Sequence, residues 1–321
     1  AERWTIAPAA TRPIPPARYI PAQLDRITNA VFGSVAEVVR EFRGGYDARQ
    51  QPTLGFRLRH VDLVDGVLYT RGGSRHLRPR RRRAPAYRRP AETTSGTLYE
   101  SWVGNRWFGN WLFDDCVTYA LADRFGTPVT SATHTSDHMR RYEHLLGVAP
   151  RRVDRVHFDE LIIFRDVGGN ADRQARADHL RRRLIGDAEP AAHPGVFLLR
   201  GDSGDRRVLV NEIAIAEAFR DRRGFTIIDP LATCVDAIVA ACAGARVIAG
   251  VEGSHLVHGL VSMPRDAVLF TIQPPDRACS VLKTVADRQR QVFAFVVGVG
   301  GCDGFTADWD EIERTLDMAL H

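Results

Sequence analysis

At 321 residues, with 44% hydrophobic and 26% charged side chains, the chain has the balance of a globular protein, which excludes a disordered or fibrous one. The length suits two domains at roughly 100 to 200 residues each, and no apolar run reaches the roughly 20 residues of a membrane-spanning helix. The net charge of +5 is carried by arginine, Lys283 being the only lysine; guanidinium groups suit anionic ligands, although GC-rich coding accounts for most of this bias and for the abundant alanine.

The first thirty residues are rich in Pro, Ala and Arg and show no clean period, so residues 1–30 are expected to form an arm draped over a domain. Alternating apolar positions from Leu54 to Leu63 and from Val67 to Tyr69, with Asp65-Gly66 between them, predict a β-hairpin. Residues 78–89 are the densest charge run, and prolines at Pro79 and Pro85 forbid a long helix there. Clustered guanidiniums can meet nucleic-acid phosphates, but one short run without interleaved aromatics is read as a solvated loop.

Helical spacing from Trp107 to Phe125 predicts a helix beginning near Gly109 and ending at Gly126. A second helix is expected from Ser136 to Leu146, then strand character over 153–164 and an Arg-rich amphipathic helix over 170–185. Pro190, Pro194 and Gly195 mark the boundary to a regular strand-helix alternation. Its strands are Val196–Leu199, Phe225–Ile228, Arg246–Ala249, Ala267–Ile272 and Val292–Val297, with helices at 211–222, 233–243, 254–262, 278–289 and 307–320. The fold class is α/β, and the second half reads as a doubly wound parallel sheet.

Five cysteines (Cys116, Cys234, Cys242, Cys279, Cys302) are odd in number and widely spaced, so they are read as reduced core thiols. None has zinc-ligand spacing, and no metal is expected. The start, Ala1-Glu2-Arg3-Trp4, lacks a signal pattern. A cytoplasmic location is expected, with a peripheral position at the inner membrane face as a further option.

Two polar clusters fall at the ends of predicted strands. In an open parallel sheet the strand carboxyl ends line the ligand crevice. Arg200 ends the first strand of the second half; Arg207, Asn211 and Glu212 follow, and the arginines are read as phosphate ligands. Asn211 is a competent N-cap, and Glu212 suits either the first helical turn or a ligand. The second cluster runs Glu252-Gly253-Ser254-His255-Leu256-Val257-His258. Gly253 permits close backbone approach and Ser254 can cap the turn and donate to phosphate. His255 and His258 fall one helical turn apart, where titration near neutrality would suit phosphate or sugar contacts.

Four separated motifs, RWFGNWLFDD at Arg106 to Asp115, FLLRGDSGDRRVLVNE at Phe197 to Glu212, GFTIIDP at Gly224 to Pro230 and VIAGVEGSHLVHGL at Val247 to Leu260, together resemble family 61 of the glycosyltransferases (DUF563), in its bacterial type. The resemblance covers roughly residues 60–300 in order. It implies a GT-B architecture, two Rossmann-like domains facing across a cleft: an acceptor-side domain over 31–190 and a nucleotide-sugar-binding domain over 191–321. The last helix either ends the second domain or packs back on the first. The resemblance further implies an inverting, metal-independent reaction with a nucleoside-diphosphate sugar as donor, a carbohydrate hydroxyl as acceptor, no cofactor, and a role in surface-polysaccharide or glycan synthesis.

Within that scheme Arg200 and Arg207 match the basic residues that meet the diphosphate, and Asn211 and Glu212 follow them as in an RNE-like motif. Glu252 to His258 stand in place of the family's HGAGLTN turn. A departing diphosphate needs compensating positive charge, and inversion needs a base for the acceptor hydroxyl. Asp114 and Asp115 are the candidate bases, and Asn110, on the same helix face as Asp114, occupies the His position of the family's HWLxD motif. That departure supports an alternative, a catalytically silent sugar-nucleotide-binding or scaffold protein; a nucleic-acid-binding protein using 78–89 is the other alternative, although no nucleic-acid partner is expected. Asp308-Trp309-Asp310 imitates a metal-binding DxD but is read as the start of the last helix, where acidic residues complement the dipole.

Overall fold

The computed structural model describes residues 2–79, 89–133, 136–186, 190–201, 207–301 and 303–321. The chain folds as two compact units, residues 1–11 with 49–183, and residues 12–48 with 184–321. The expected boundaries lie near residues 30 and 190, whereas residues 12–48 group with the C-terminal unit.

The first unit is built on a sheet of eight strands: β1 (Glu2–Ala7), β2 (Thr53–Val64), β3 (Val67–Thr70), β4 (Gly73–His76), β5 (Thr93–Leu98), β6 (Pro128–Thr130), β7 (Arg151–Arg152) and β8 (Arg155–Arg165). The order is β4-β3-β2-β8-β5-β6-β7, with β1 also paired to β2. The predicted hairpin is β2-β3: Asp65 and Gly66 take φ of 51° and 69°, the left-handed pair that a tight two-residue turn requires. Here the sheet departs from the Rossmann-like domain that the resemblance implies. β1, β3 and β8 all run antiparallel to β2, and only β8, β5, β6 and β7 are mutually parallel. For β3 the cause is local, because a two-residue connection can join only antiparallel strands; β1 and β8 instead pair with β2 across long stretches of sequence.

The predicted helix after β5 forms in three pieces: Phe108–Asn110, a π-helical turn Trp111–Asp115, and α2 (Cys116–Phe125), with α1 (Val35–Arg43) preceding in sequence. At the π turn the Cys116 N–H donates to the Trp111 carbonyl, which inserts one residue into the helical ladder. Next comes α3 (Asp137–Leu146), capped by the Ser136 side chain on the Met139 N–H and closed by Gly147 at φ 68°. The Arg-rich helix is α4 (Ala171–Ile185).

The second unit holds the parallel sheet: β9 (Val196–Leu198), β10 (Thr226–Ile228), β11 (Val247–Val251), β12 (Val268–Gln273) and β13 (Val292–Val297), in order β10-β9-β11-β12-β13. All neighbours are parallel. The strands read as unbroken apolar runs because both faces are covered. On one face Phe197, Ala249, Phe270 and Val296 meet Ile215 and Phe219 of α5 (Glu212–Arg223) and Ile312 and Leu316 of α9 (Trp309–Leu320) in one core. The other face takes α6 (Val235–Ala243), α7 (Val257–Leu260) and α8 (Val281–Gln289), with Gly259 of α7 lying close against Ile248.

Segment 12–48 completes this unit beyond β13. Arg18 forms a parallel bridge with Ala294, Phe42 of α1 stacks on Phe295 with ring centroids 4.2 Å apart, and Arg26 pairs with Glu311 at 2.6 Å. Asp308 accepts from the Glu311 N–H at 3.0 Å, so the DxD-like sequence is a helix cap. Cys116, Cys242 and Cys279 are buried free thiols, but Cys234 is exposed because it precedes the first turn of α6 rather than facing the core; Cys302 lies outside the described residues. Among the described residues no helix is long and apolar enough to cross a membrane.

Candidate functional site

Chain order 2-1-3-4-5 across a parallel sheet places the topological switch between the first and third strands, here β9 and β11. From β9 the chain leaves to α5 on one face; from β11 it leaves to α7 on the other. The chain thus departs to opposite faces at neighbouring strand carboxyl ends, the place where an open parallel sheet holds its ligand. Both polar clusters sit there: Arg200 follows β9, and Glu252 follows β11.

The crevice wall is held by carboxylates. Glu212 accepts from the backbone N–H of Arg200 at 2.7 Å and of Gly201 at 2.9 Å, so it ties α5 to the end of β9. Arg207 donates to the Glu252 carbonyl at 2.7 Å and lies 2.5 Å from the Glu252 carboxylate. Asn211 does not cap α5. Its amide instead clamps Ala307, donating to the carbonyl at 2.8 Å and accepting from the N–H at 3.2 Å, because the approach of the chain to α9 leaves those two backbone groups to be satisfied. Ser254 does not cap either, since it is the first residue of the 3-10 turn Ser254–Leu256 and Gly253 holds the cap position.

Gly253 lies directly under Arg200: a Cβ there would stand 2.1 Å from the Arg200 Nη1. Arg200 is only 6% exposed, and burial, then the charge of Arg207, lowers its pKa to about 10, with Arg277 adding to the repulsion against partial relief from Glu252 and Glu212. Crowded guanidiniums in a poorly solvated pocket are stabilised by any anion that enters. Arg277, just past β12, was not predicted as a site residue; Pro274-Pro275-Asp276-Arg277 immediately after an apolar strand is the signal that marks it.

His255 behaves differently from the expectation. Burial first, then the positive charges of Arg200, His258 and Arg207, push the His255 pKa well below its ordinary value. His255 is therefore neutral rather than titrating near neutrality, and it contributes shape in place of charge. His258 is buried on α7. The Cys279 thiol lies beside Glu252, and burial with that neighbouring carboxylate pushes its pKa up, so it is inert at neutral pH.

In the first unit the π turn separates the two candidate carboxylates. Asp114 keeps 24% of its side chain exposed and pairs with Arg173 of α4, while Asn110 donates to its other oxygen at 3.0 Å. Asp115 is turned inward at 2% exposure and accepts from the Ser101 hydroxyl at 2.7 Å and the Ser101 N–H at 3.2 Å. Burial raises its pKa well above the usual carboxylate range, and its two oxygens hold the turn after β5. Of the pair, only Asp114 reaches solvent.

Behind Asp114 stands a network that spacing did not disclose. Asp166, just after β8, receives Arg176 at 2.7 and 2.9 Å, Thr53 at 2.9 Å and Thr118 at 3.1 Å. Arg173 bridges Asp166, at 3.1 Å, to Asp114. Residues 80–88 of the basic run lie outside the described residues; the flanking Arg78 donates to the Ser131 carbonyl at 2.5 Å.

A family model described as Glycosyltransferase 61 matches residues 97–270, more than half of the chain. The match runs from the end of β5 into β12 and contains Asn110, Asp114, Arg173, Arg200, Arg207 and Glu252. No curated protein matches the chain.

Proposed function

The chain belongs to glycosyltransferase family 61, and on that premise we propose that it moves a sugar from a nucleoside-diphosphate donor to a carbohydrate hydroxyl with inversion, in surface-polysaccharide or glycan synthesis in the cytoplasm. The single observation that carries the donor assignment is the crowding of Arg200, Arg207 and Arg277 at the β9/β11 switch, where burial holds Arg200 to about 10. A diphosphate complements the positive potential that they create together. As the bond from the anomeric carbon to the diphosphate breaks, the electron pair leaves with the phosphate oxygen, and guanidiniums already in place stabilise that charge without reorganisation.

Asp114 is the proposed base, taking the acceptor proton as the hydroxyl attacks. Asn110 and Arg173 leave lone-pair capacity on its carboxylate, and it faces solvent where Asp115 does not. The GT-B architecture and independence from metal belong to the same proposal. A second reading, a sugar-nucleotide-binding protein without turnover, is favoured by Asn110 in the family's His position together with the Arg173 ion pair on Asp114.

Thermal-shift measurements with UDP, GDP and a panel of nucleotide-sugars test the donor site. A ligand at a hundred times its Kd adds about 2.7 kcal/mol, and Arg200→Ala is expected to abolish the response; an undiminished shift in that variant removes the donor assignment. Release of free nucleotide on adding acceptor glycans separates the two readings. Wild-type turnover in Asp114→Ala would exclude Asp114 as the base.

A further inference from the structure

Two short repeats lie away from both clusters: His60-Val61-Asp62 on β2 and His157-Phe158-Asp159 on β8. These strands pair antiparallel with His157 opposite Asp62, Phe158 opposite Val61 and Glu160 opposite Arg59. His60 and Asp159 therefore occupy the intervening pair of positions. Residues two apart on a strand share a face, so each histidine stands across from the other repeat's aspartate.

The geometry within this quartet is that of a ligand set. His60, His157 and Asp159 each bring a ligand-type atom within 4.8 Å of the others, and the His157 Nε2 lies 3.5 Å from an Asp159 carboxylate oxygen. A tetrahedral zinc with bonds of about 2.0 to 2.2 Å spaces its ligand atoms about 3.3 to 3.6 Å apart. The His157–Asp159 pair already has that spacing, and His60 and Asp159 are exposed side chains free to close the remainder.

The orientation of His157 adds an independent argument. Its ring is buried, with Nδ1 2.6 Å from Asp62 Oδ1 and Nε2 2.6 Å from Arg89 Nη2. A guanidinium only donates, so Nε2 is the acceptor and Nδ1 carries the proton given to Asp62. This is the arrangement in which a carboxylate orients a metal-binding imidazole through its other nitrogen. The outward lone pair already receives a cation, the chain's own Arg89. His60, stacked on His157 with ring centroids 5.9 Å apart, sits at φ 55°, a left-handed conformation that is uncommon for a non-glycine residue inside a strand.

We propose that His60, His157 and Asp159 bind a divalent transition metal of the zinc type, oriented by Asp62, with Arg89 giving way as the metal enters. The site joins β2 to β8 within the first unit, and it stands independently of the glycosyltransferase reading.

Metal-free full-length protein, with any affinity tag removed, is titrated with zinc by calorimetry and with cobalt(II) by visible absorption. One metal per chain and the intense d–d bands of a four-coordinate nitrogen and oxygen site are expected. His60→Asn, which tolerates the left-handed backbone, and Asp159→Asn weaken binding at least about tenfold, and Asp62→Asn weakens it by about 10 to 100-fold. Arg89→Ala, which removes the competing cation, tightens it. Zinc affinity unchanged in both His60→Asn and Asp159→Asn overturns the proposal, as does the lack of stoichiometric binding in both the wild type and Arg89→Ala.

Discussion

Neighbouring residues in this chain have unlike fates, and the difference is one of burial and direction. Asp114 and Asp115 are adjacent, yet one meets Arg173 at the surface and the other is sealed against Ser101. Glu212 and Asn211, adjacent as well, spend their side chains on different backbone segments. Chemistry at the crevice consequently rests on the arginines and on the glycine beneath them. Gly253→Ala places a methyl where the Arg200 guanidinium lies, and the guanidinium must move. With a charge-assisted hydrogen bond worth about 1.5 to 3 kcal/mol, nucleotide affinity is expected to fall about 10 to 100-fold while thermal stability without ligand changes little. Calorimetric titration with the nucleotide found by the thermal-shift panel reads the affinity and a ligand-free melt reads the stability; unaltered affinity would separate Arg200 from the phosphate.

Elements supply the directions that residues then use. The five parallel strands of the second half follow the apolar runs closely enough that the alternation was legible, whereas the short antiparallel pair Val299–Gly301 and Gly304–Thr306 and the π turn at Trp111–Asp115 were not. Four-residue spacing brings Asn110 and Asp114 together, while Asp115, about 100° further round the helix, faces the interior. The knot joining β8, α2 and α4 is similarly invisible in spacing, since Asp166 collects partners from Thr53, Thr118, Arg173 and Arg176. Burial by itself raises the Asp166 pKa, but the Arg176 hydrogen bond, the charges of Arg173 and Arg176 and the Thr53 hydroxyl outweigh it and hold the group at about 2, against an ordinary 3.8. A carboxylate with a lowered folded pKa stabilises the fold fully above its unfolded value. That contribution, about 2 kcal/mol, is lost as pH falls from about 4 to about 2. Urea unfolding across that range is expected to show the loss in the wild type and a shallower dependence in Asp166→Asn, even though that variant is less stable near neutrality for want of a partner to its two arginines.

At the scale of the whole molecule, the C-terminal unit is discontinuous in sequence. Segment 12–48 supplies the Phe42 stack on Phe295, the Arg18 bridge to Ala294 and the Arg26 pair with Glu311, and the Ala278 N–H donates to the Asn29 carbonyl at 3.0 Å beside Arg277. A fragment of residues 184–321 is therefore expected to unfold at lower temperature than the same fragment with residues 12–48 fused through a flexible linker, by circular dichroism; equal stability would show the segment to be dispensable. The parallel sheet, its helices and the position of the arginine cluster could be read from the chain, because they follow from local periodicity and from where strands end. Only the folded chain shows that β1 and β8 lie antiparallel to β2, that residues 12–48 complete the second unit, that His255 is neutral, and that Asp114 and Arg173 meet. Each of those depends on which distant groups share a buried volume, and desolvation and pairing there are set by three-dimensional neighbours that spacing along the chain does not encode.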